Sequence, residues 1–351
     1  MMRASPSKRP GALRGHAWLP VRVVVRCVSG AAGGGSDPPS EDLKRRSKEL
    51  TGVEGTPDWA KRSGARAFLW AAGWKKADFR KPIITVACPW TNATPCNNHF
   101  RELGDLVCEA VEEAGGKPVI FGTPIVTDGE AQGMEAMRYS LCSRDLIADC
   151  IETMHEAYRA DAMITLSGCD KTQPATLMPI ARSNQIGLTL YGGTMLPGMP
   201  GDPRHCCGKS AIPEDSPFYG RGLHPGSPYE ATGALVAGLI SEEEMHEIEC
   251  CSIPGSGACG GMFTANTMSS AIEAMGMSLP GTSSTVSSGW AELNQPRGKF
   301  GENPLTAEKK AEVKQTVDAC FNLLRKNIRA RDIMTKKAFE NAITVLYALG
   351  G

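Results

Sequence analysis

Short apolar segments alternate with amphipathic segments from residue 81 onward, and this alternation limits the possible folds more than any other feature. The apolar segments have the length of buried strands and lie at 83–87, 118–121, 162–166 and 187–191. Helical periodicity between them predicts helices at 99–114, after an N-cap at Ser143, and from a first turn containing Pro174. Strands that alternate with helices pair in parallel through right-handed crossovers. We therefore predict an α/β fold, a mostly parallel sheet flanked by helices.

The rest of the chain divides by composition. Periodicity predicts further helices at 264–277, 307–328 and 335–349, whereas 195–230 is rich in Pro and Gly and predicts a long loop. The predicted organisation is a leader at 1–36, an N-terminal extension at 37–80 and an α/β domain at 81–351, with an insertion at about 199–228.

The first segment has the composition of a targeting sequence. Residues 1–36 are rich in arginine and small residues and contain no acidic residue before Asp37. This pattern is typical of transit peptides. We predict a transit peptide for a chloroplast or a mitochondrion; the alternative is a disordered tail that carries no address.

Charge and cysteine spacing exclude several classes of protein. The 38 Lys and Arg residues balance the 38 Asp and Glu residues, whereas nucleic-acid-binding domains usually have a basic excess. We therefore expect no nucleic-acid partner, and no apolar run is long enough to predict a membrane span. The 13 cysteines include no C-x-x-C pair, which argues against zinc ribbons and thioredoxin chemistry. Most of them are expected to be buried, reduced side chains.

Two glycine-rich motifs do not predict a nucleotide site. The segment 255–260 fits G-x-G-x-x-G, but no acidic residue follows at 274–288 and the preceding residues form a poor strand. The dinucleotide motif requires both features. Gly-Lys-Ser at 208–210 resembles the end of a phosphate loop, but Pro203 stands where that loop requires glycine.

Reactive side chains follow three of the predicted strands. Cys96, Asp128 and the Cys169-Asp170-Lys171 segment come after strands one, two and three. In parallel sheets the carboxyl ends of the strands form one edge, where ligands bind. We therefore expect these side chains to lie at the same edge. Cys259 lies in a Gly-rich loop at the predicted start of a helix, where a thiol pKa falls.

This set of residue types suits two kinds of inorganic cofactor. Thiolates bind iron–sulfur clusters, whereas carboxylates select hard ions such as Mg²⁺. Three thiolates in place of four leave one iron with an open position, which can act as a Lewis acid on a hydroxyl. Spacing alone does not decide between a cofactor site and unrelated cysteines, because three scattered cysteines are more often unrelated.

Three longer motifs carry a resemblance to a known family. The segments around Cys96, Cys169 and Cys259 resemble the three cysteine motifs of the dihydroxy-acid dehydratase family. These segments are Thr-Pro-Cys-Asn at 94–97, Ser-Gly-Cys-Asp-Lys at 167–171 and Gly-Ala-Cys-Gly-Gly-Met-Phe-Thr-Ala-Asn-Thr-Met at 257–268. Further matches at 126–129, 137–144 and 273–280 extend the similarity over about residues 50–351.

The resemblance implies an iron–sulfur hydro-lyase of valine and isoleucine biosynthesis that converts 2,3-dihydroxy-3-methyl acids into 2-oxo acids. By position, Cys96, Cys169 and Cys259 would bind the cluster, most simply [2Fe-2S], with [4Fe-4S] as the alternative. Asp128, Asp170 and a carbamylated Lys171 would bind Mg²⁺. The resemblance also implies a homodimer and a small dihydroxy-acid substrate.

The sequence departs from the family pattern in two places. Family members are longer, and their C-terminal β-rich domain supplies a metal-binding Glu and a catalytic Ser, so we expect a C-terminally truncated chain with an incomplete site. The insertion at about 199–228 contains His205, Cys206 and Cys207, for which a metal role is one alternative. Two other functions remain open: a sugar-acid dehydratase of the same fold, and a non-catalytic fragment that binds a cluster.

Overall fold

A four-stranded parallel sheet forms the centre of the protein. The computed structural model describes residues 45–200 and 212–351. Within them the strands are β1 (Ile83–Cys88), β2 (Lys117–Gly122), β3 (Ala162–Ser167) and β4 (Gly187–Tyr191). Their order in the sheet is β2-β1-β3-β4, and every pair is parallel. The predicted α/β fold is confirmed.

The helices lie before, between and after the strands. The first three, which precede the sheet, are α1 (Lys48–Thr51), α2 (Pro57–Lys61) and α3 (Ser63–Ala71). Those between strands are α4 (Phe100–Glu113), α5 (Asp128–Ala131), α6 (Met137–Ala157) and α7 (Thr172–Arg182). The remaining helices are α8 (Ser227–Val236), α9 (Glu242–Ser252), α10 (Thr264–Ala274), α11 (Trp290–Leu293), α12 (Ala307–Lys326), α13 (Ala330–Ile333) and α14 (Lys336–Leu349). Two 3₁₀ helices span Lys76–Arg80 and Thr282–Ser284.

Side chains that alternate along each strand build a core on both faces of the sheet. Val86 of β1 and Ile164 of β3 pack with α4 and α12 on one face. Their neighbours Ala87 and Met163 pack with α6, α7, α10 and α14 on the other face. Both faces are therefore covered, which explains why the strands are almost continuously apolar.

Three details of the sequence interpretation are wrong. The helix expected after Ser143 already begins at Met137, and the Ser143 hydroxyl instead donates to the Ser140 carbonyl, at 2.7 Å. Mid-helix serines often make such bonds to the preceding turn. The sequence predicts a loop over 195–230, but α8 already begins at Ser227, so the last four of these residues are helical. Cys259 does not lie at the start of a helix, because α10 begins only at Thr264.

The described part of the predicted insertion is packed. Ile212, Phe218 and Leu223 form a small apolar cluster with α8 and α9. The predicted leader at 1–36 and the segment His205-Cys206-Cys207 lie outside the described residues.

The N-terminal extension is tied to the sheet by buried polar contacts. The Asp161 carboxylate accepts hydrogen bonds from the backbone N–H groups of Ser47, at 3.0 Å, and Ile83, at 2.8 Å. Arg46 adds an ion pair to Glu156 at 2.5 Å. In the part of the chain that is described, none of the helices combines the length and apolar character that a membrane crossing requires.

Candidate functional site

The carboxyl ends of the parallel strands bring three polar loops together. The loop after β1 carries Cys96, the segment after β2 carries Asp128, and the loop after β3 carries Cys169, Asp170 and Lys171. The Lys171 ammonium contacts the Asp128 carboxylate at 2.8 Å. The residues expected at one edge of the sheet are thus brought together there.

The three cysteines form one cluster of thiols. Cys96 and Cys169 are buried, whereas Cys259 is half-buried. Hydrogen bonds to Cys169 and Cys259, together with burial, raise the pKa of the Cys96 thiol well above its ordinary value. The hydrogen bond from Cys96 lowers the pKa of Cys259, although burial opposes this. The hydrogen bond from Cys96 therefore eases ionisation of Cys259, and the thiolate is the form that binds metals.

Two glycines allow these loops to approach one another. A Cβ atom at Gly168 would lie 2.6 Å from the Cys96 carbonyl oxygen. A Cβ atom at Gly257, where φ is +134°, would lie 2.6 Å from the Met195 amide nitrogen. Both distances are shorter than any side chain tolerates, so only glycine permits this packing.

Backbone hydrogen bonds hold the Cys259 loop against the other loops. The Gly257 N–H donates to the Pro95 carbonyl at 2.9 Å, next to Cys96. Ala258 donates to the Gly193 carbonyl at 2.8 Å and accepts from the Met195 N–H at 2.9 Å. Cys259 is therefore positioned by the segment that follows β4 and by the Cys96 loop.

Hydroxyl groups fix the Cys169 loop. The Thr172 hydroxyl accepts from the backbone N–H groups of Gly168, at 3.2 Å, and Cys169, at 2.9 Å. The Cys169 sulfur lies 3.1 Å from the Thr127 hydroxyl oxygen and 2.8 Å from the Asp170 carboxylate, and its single proton can be donated to either oxygen. The last contact joins the thiol cluster to the carboxylates.

Two carboxylates and one ammonium lie beside the thiols. Lys171 lies 2.8 Å from Asp128 and 3.5 Å from Asp170, and the Ser140 hydroxyl donates to Asp128. Burial, followed by the hydrogen bond and charge of Asp128, raises the pKa of Asp170 to about 6. Burial also opposes ionisation of Asp128, but hydrogen bonds from Asp170, Lys171 and Ser140 hold its pKa below the ordinary value.

The Lys171 side chain provides the positive charge between the two carboxylates. Burial lowers the pKa of Lys171, but its hydrogen bonds and charge interactions with Asp128 and Asp170 outweigh this and raise it. Within residues 45–200 and 212–351, no three His, Cys, Asp or Glu side chains form a group that could hold a metal ion. In the described part of the chain, no His, Cys, Asp or Glu side chain therefore completes a three-ligand group with Asp128 and Asp170.

Sequence reasoning missed several residues that support the site. Thr127, Ser140 and Thr172 hold the predicted site residues, and His99 is fully buried beside Gly192, whose carbonyl lies 2.9 Å from its Nε2. Thr127 and Ser140 lie in segments, 126–129 and 137–144, that already carried the resemblance, so their involvement had a signal in the sequence. Thr172 acts through local contacts to Gly168 and Cys169. The contact of His99, in contrast, joins distant parts of the chain.

Comparisons with known proteins give a consistent result. A family model described as dihydroxy-acid/6-phosphogluconate dehydratase N-terminal matches residues 81–351. Dihydroxy-acid dehydratase 2 of Staphylococcus saprophyticus is 43% identical over 314 residues, which cover 89% of this chain and 48% of the relative. Dihydroxy-acid dehydratases of Methylococcus capsulatus (42% identical; 84% of this chain and 46% of the relative) and Methylibium petroleiphilum (40%; 88% and 48%) are also similar.

The relatives overturn one prediction. They are bacterial proteins, and bacteria have neither chloroplasts nor mitochondria. The predicted chloroplast or mitochondrial location is therefore wrong, and the relatives argue against reading the arginine-rich leader as a transit peptide. Composition misled here because arginine-rich, acid-free N-terminal segments also occur in proteins that are not imported into an organelle.

The match concerns the first part of longer proteins. This chain spans about half the length of the curated relatives that it matches. The family model covers the whole region that contains the sheet, the thiol cluster and the carboxylates. The chain therefore belongs to the dihydroxy-acid/6-phosphogluconate dehydratase family.

Proposed function

We propose that this chain forms the cofactor-binding part of a hydro-lyase that converts 2,3-dihydroxy-3-methyl acids into 2-oxo acids in valine and isoleucine biosynthesis. One observation carries the proposal: three thiols and an Asp-Asp-Lys group meet at one edge of the sheet, joined by the Cys169–Asp170 contact at 2.8 Å. The names of the relatives support this substrate class.

The three thiols fit an iron–sulfur cluster. Cys96, Cys169 and Cys259 would bind a [2Fe-2S] cluster, with [4Fe-4S] as the alternative. A cluster distributes its thiolate ligands over several irons. This arrangement does not require the thiols to surround one ion. When bound, the cluster supplies an iron with an open position that can act as a Lewis acid toward a hydroxyl leaving group.

The carboxylates and Lys171 fit a hard cation. Asp128 and Asp170 would bind Mg²⁺, which prefers oxygen ligands and can hold a hydroxy acid through its oxygens. An ammonium has three donors and no acceptor, so it cannot be a ligand. Addition of the neutral Lys171 amine to CO₂ forms an N–C bond, releases a proton and gives an anionic oxygen that can serve as the third ligand.

The remaining polar residues hold these groups in place. The Ser140 hydroxyl orients Asp128, and the Thr172 hydroxyl orients the Cys169 loop. Burial of Cys96 and Cys169 excludes water from their sulfur atoms. Together these contacts hold the carboxylates and the thiols beside each other at the edge of the sheet.

Lys171 and Asp128 can be tested without any catalytic assay. The metal-free full chain is equilibrated with ¹³C-bicarbonate and Mg²⁺, and a carbamate carbon signal is expected by NMR. Asp128→Asn should weaken Mg²⁺ binding and the carbamate signal at least tenfold. Asp149→Asn, which removes an exposed partner of Arg182, is the matched control and should change neither. A carbamate signal that persists in Lys171→Arg would contradict the assignment.

Substrate profiling separates this function from its alternatives. The anaerobically reconstituted chain is offered branched dihydroxy acids and aldonic acids, and binding and 2-oxo acid formation are measured. Binding of branched dihydroxy acids alone supports the proposal, whereas a preference for aldonic acids indicates a sugar-acid dehydratase. Iron and sulfide without binding of either acid indicate a non-catalytic fragment.

The assembly and domain division complete the proposal. We infer that residues 81–351 form the domain that holds the cofactors and that 37–80 are an N-terminal extension, of which the described part, 45–80, packs on that domain. We also infer that two chains form a homodimer without nucleic-acid or membrane partners. Light scattering coupled to size exclusion measures the assembly, and a monomer at micromolar concentration would contradict the dimer.

A further inference from the structure

The Thr127 hydroxyl is in direct contact with the sulfur of Cys169. Its oxygen lies 3.1 Å from that sulfur, and both groups are buried. In the part of the chain that the structure describes, the Thr127 hydroxyl makes its hydrogen bond to this sulfur and to no other group. The Cys169 sulfur has two further side-chain partners, the Asp170 carboxylate at 2.8 Å and the Cys96 thiol.

Thr127 is held in this place from both sides. Its backbone carbonyl accepts from the Ala131 N–H at 3.3 Å. The Ser140 hydroxyl lies 3.4 Å from the Val126 carbonyl and also donates to the Asp128 carboxylate. The residues immediately before and after Thr127 are therefore both anchored to α6. The Thr127 side chain is 7% exposed, so water has little access to its hydroxyl.

Loss of the thiol protons leaves Thr127 as the donor to the Cys169 sulfur. Cysteines bind metals as thiolates, which carry no proton, so neither Cys96 nor Cys169 can donate in that state. An ionised carboxylate such as Asp170 only accepts hydrogen bonds. A hydroxyl keeps its proton, and a buried hydroxyl normally finds an acceptor. The contact that runs from the thiol to the hydroxyl in the free chain therefore reverses its direction.

We propose that Thr127 is a positioning residue that donates a hydrogen bond to the Cys169 thiolate and thereby raises the reduction potential of the bound cluster. Hydrogen bonds to ligand sulfurs are one of the factors that set cluster potentials. Reduction adds negative charge, so a hydrogen-bond donor stabilises the reduced form more than the oxidised form. This inference rests on the proposed function and adds to it a residue that orients and tunes one cluster ligand.

The test is a redox titration of the anaerobically reconstituted full chain. Thr127→Val removes the hydroxyl and keeps the shape of the side chain, whereas Thr127→Ser keeps the hydroxyl. In Thr127→Val we expect unchanged iron and sulfide content. Its reduced-to-oxidised ratio at a fixed potential should be about tenfold lower, equivalent to about 59 mV for a one-electron couple. Thr127→Ser should stay within about threefold of the wild-type ratio.

Thr123→Val is the matched control. It makes the same substitution in the same segment after β2, at a hydroxyl that lies 3.4 Å from the Pro124 carbonyl. It should leave the potential unchanged. A shift in Thr123→Val or Thr127→Ser as large as that in Thr127→Val overturns the inference, because a loss of packing would then explain all of them.

The remaining outcomes separate this inference from the proposed function. Iron uptake by Thr127→Val with an unchanged potential overturns only the role of Thr127, whereas a wild-type chain that takes up no iron contradicts the proposed function itself. If Thr127→Val does not fold, resonance Raman spectra of the loaded wild type and Thr127→Ser are compared in H₂O and D₂O. Iron–sulfur stretching bands that shift in D₂O in both proteins support the hydrogen bond, and bands that stay at the same frequencies overturn it.

Discussion

Replacing Lys309 by methionine should strongly destabilise the protein, because Lys309 supports the site from within the core. Its side chain is 0% exposed and lies 2.5 Å from Glu312, which is 6% exposed. The ammonium also donates to the Tyr191 carbonyl at 3.0 Å and the Thr285 hydroxyl at 2.6 Å. Removing one partner of such a pair leaves a buried, uncompensated charge and costs about 3–5 kcal/mol. Urea denaturation followed by circular dichroism measures this loss.

A double variant separates the orphaned charge from lost packing. Lys309→Met with Glu312→Leu leaves the Tyr191 carbonyl and the Thr285 hydroxyl without the Lys309 donor, at about 1–3 kcal/mol each. Both groups are left in the same state by Lys309→Met alone. The double variant should therefore be more stable than Lys309→Met alone. Lys310→Met, which removes an exposed partner of Glu102, is the matched control and should change the free energy of unfolding by less than about 0.5 kcal/mol. A loss below about 1 kcal/mol in Lys309→Met, or a double variant less stable than the single one, would refute this reasoning.

Two further predictions concern the site. In EDTA, Asp170→Asn should raise the free energy of unfolding at pH 8 and change it little near pH 4. The pKa of Asp170 in the folded chain, about 6, exceeds the ordinary value of 3.8. Ionisation of Asp170 therefore destabilises the fold as pH rises between these two values. Urea titration at both pH values measures the effect, and a lower free energy of unfolding in the variant at pH 8 would contradict it. Gly168→Ala places a Cβ 2.6 Å from the Cys96 carbonyl and 2.7 Å from the Phe100 ring, which should cost about 1–3 kcal/mol and reduce iron uptake. Gly233→Ala, with nothing within 4 Å of its Cβ, is the control, and equal iron uptake in both variants would contradict the close approach of the loops.

The sheet and its edge were largely predictable from local sequence. Strand β4 spans Gly187–Tyr191, as its apolar run predicted, because a buried parallel strand needs continuous apolar residues. The convergence of the Cys96 and Cys169 loops followed from parallel topology alone. These features depend on local composition and on one general rule of strand connection.

Features that depend on capping or on distant contacts were harder to predict. Helix α9 was missed although Ser241 and Glu244 form a capping box, which is a recognisable start signal. The contact between Asn266 and Tyr191 joins residues 75 positions apart, and no local pattern indicates such a pair. A lysine in an amphipathic helix is normally expected at the surface. Lys309 is instead buried, because its ammonium binds the Tyr191 carbonyl and the Thr285 hydroxyl, which are distant in the sequence.

The central claim is that Cys96, Cys169 and Cys259 together bind an iron–sulfur cluster, and iron analysis tests it most directly. The full chain and its single Cys→Ser variants are reconstituted anaerobically with iron and sulfide, and both are measured with the visible spectrum. The wild type should bind about two irons per chain if the cluster is [2Fe-2S]. Serine at any of the three positions should remove most of the iron and the colour, whereas Cys142→Ser, at an exposed cysteine, should change neither. Full iron content in Cys259→Ser would contradict the account.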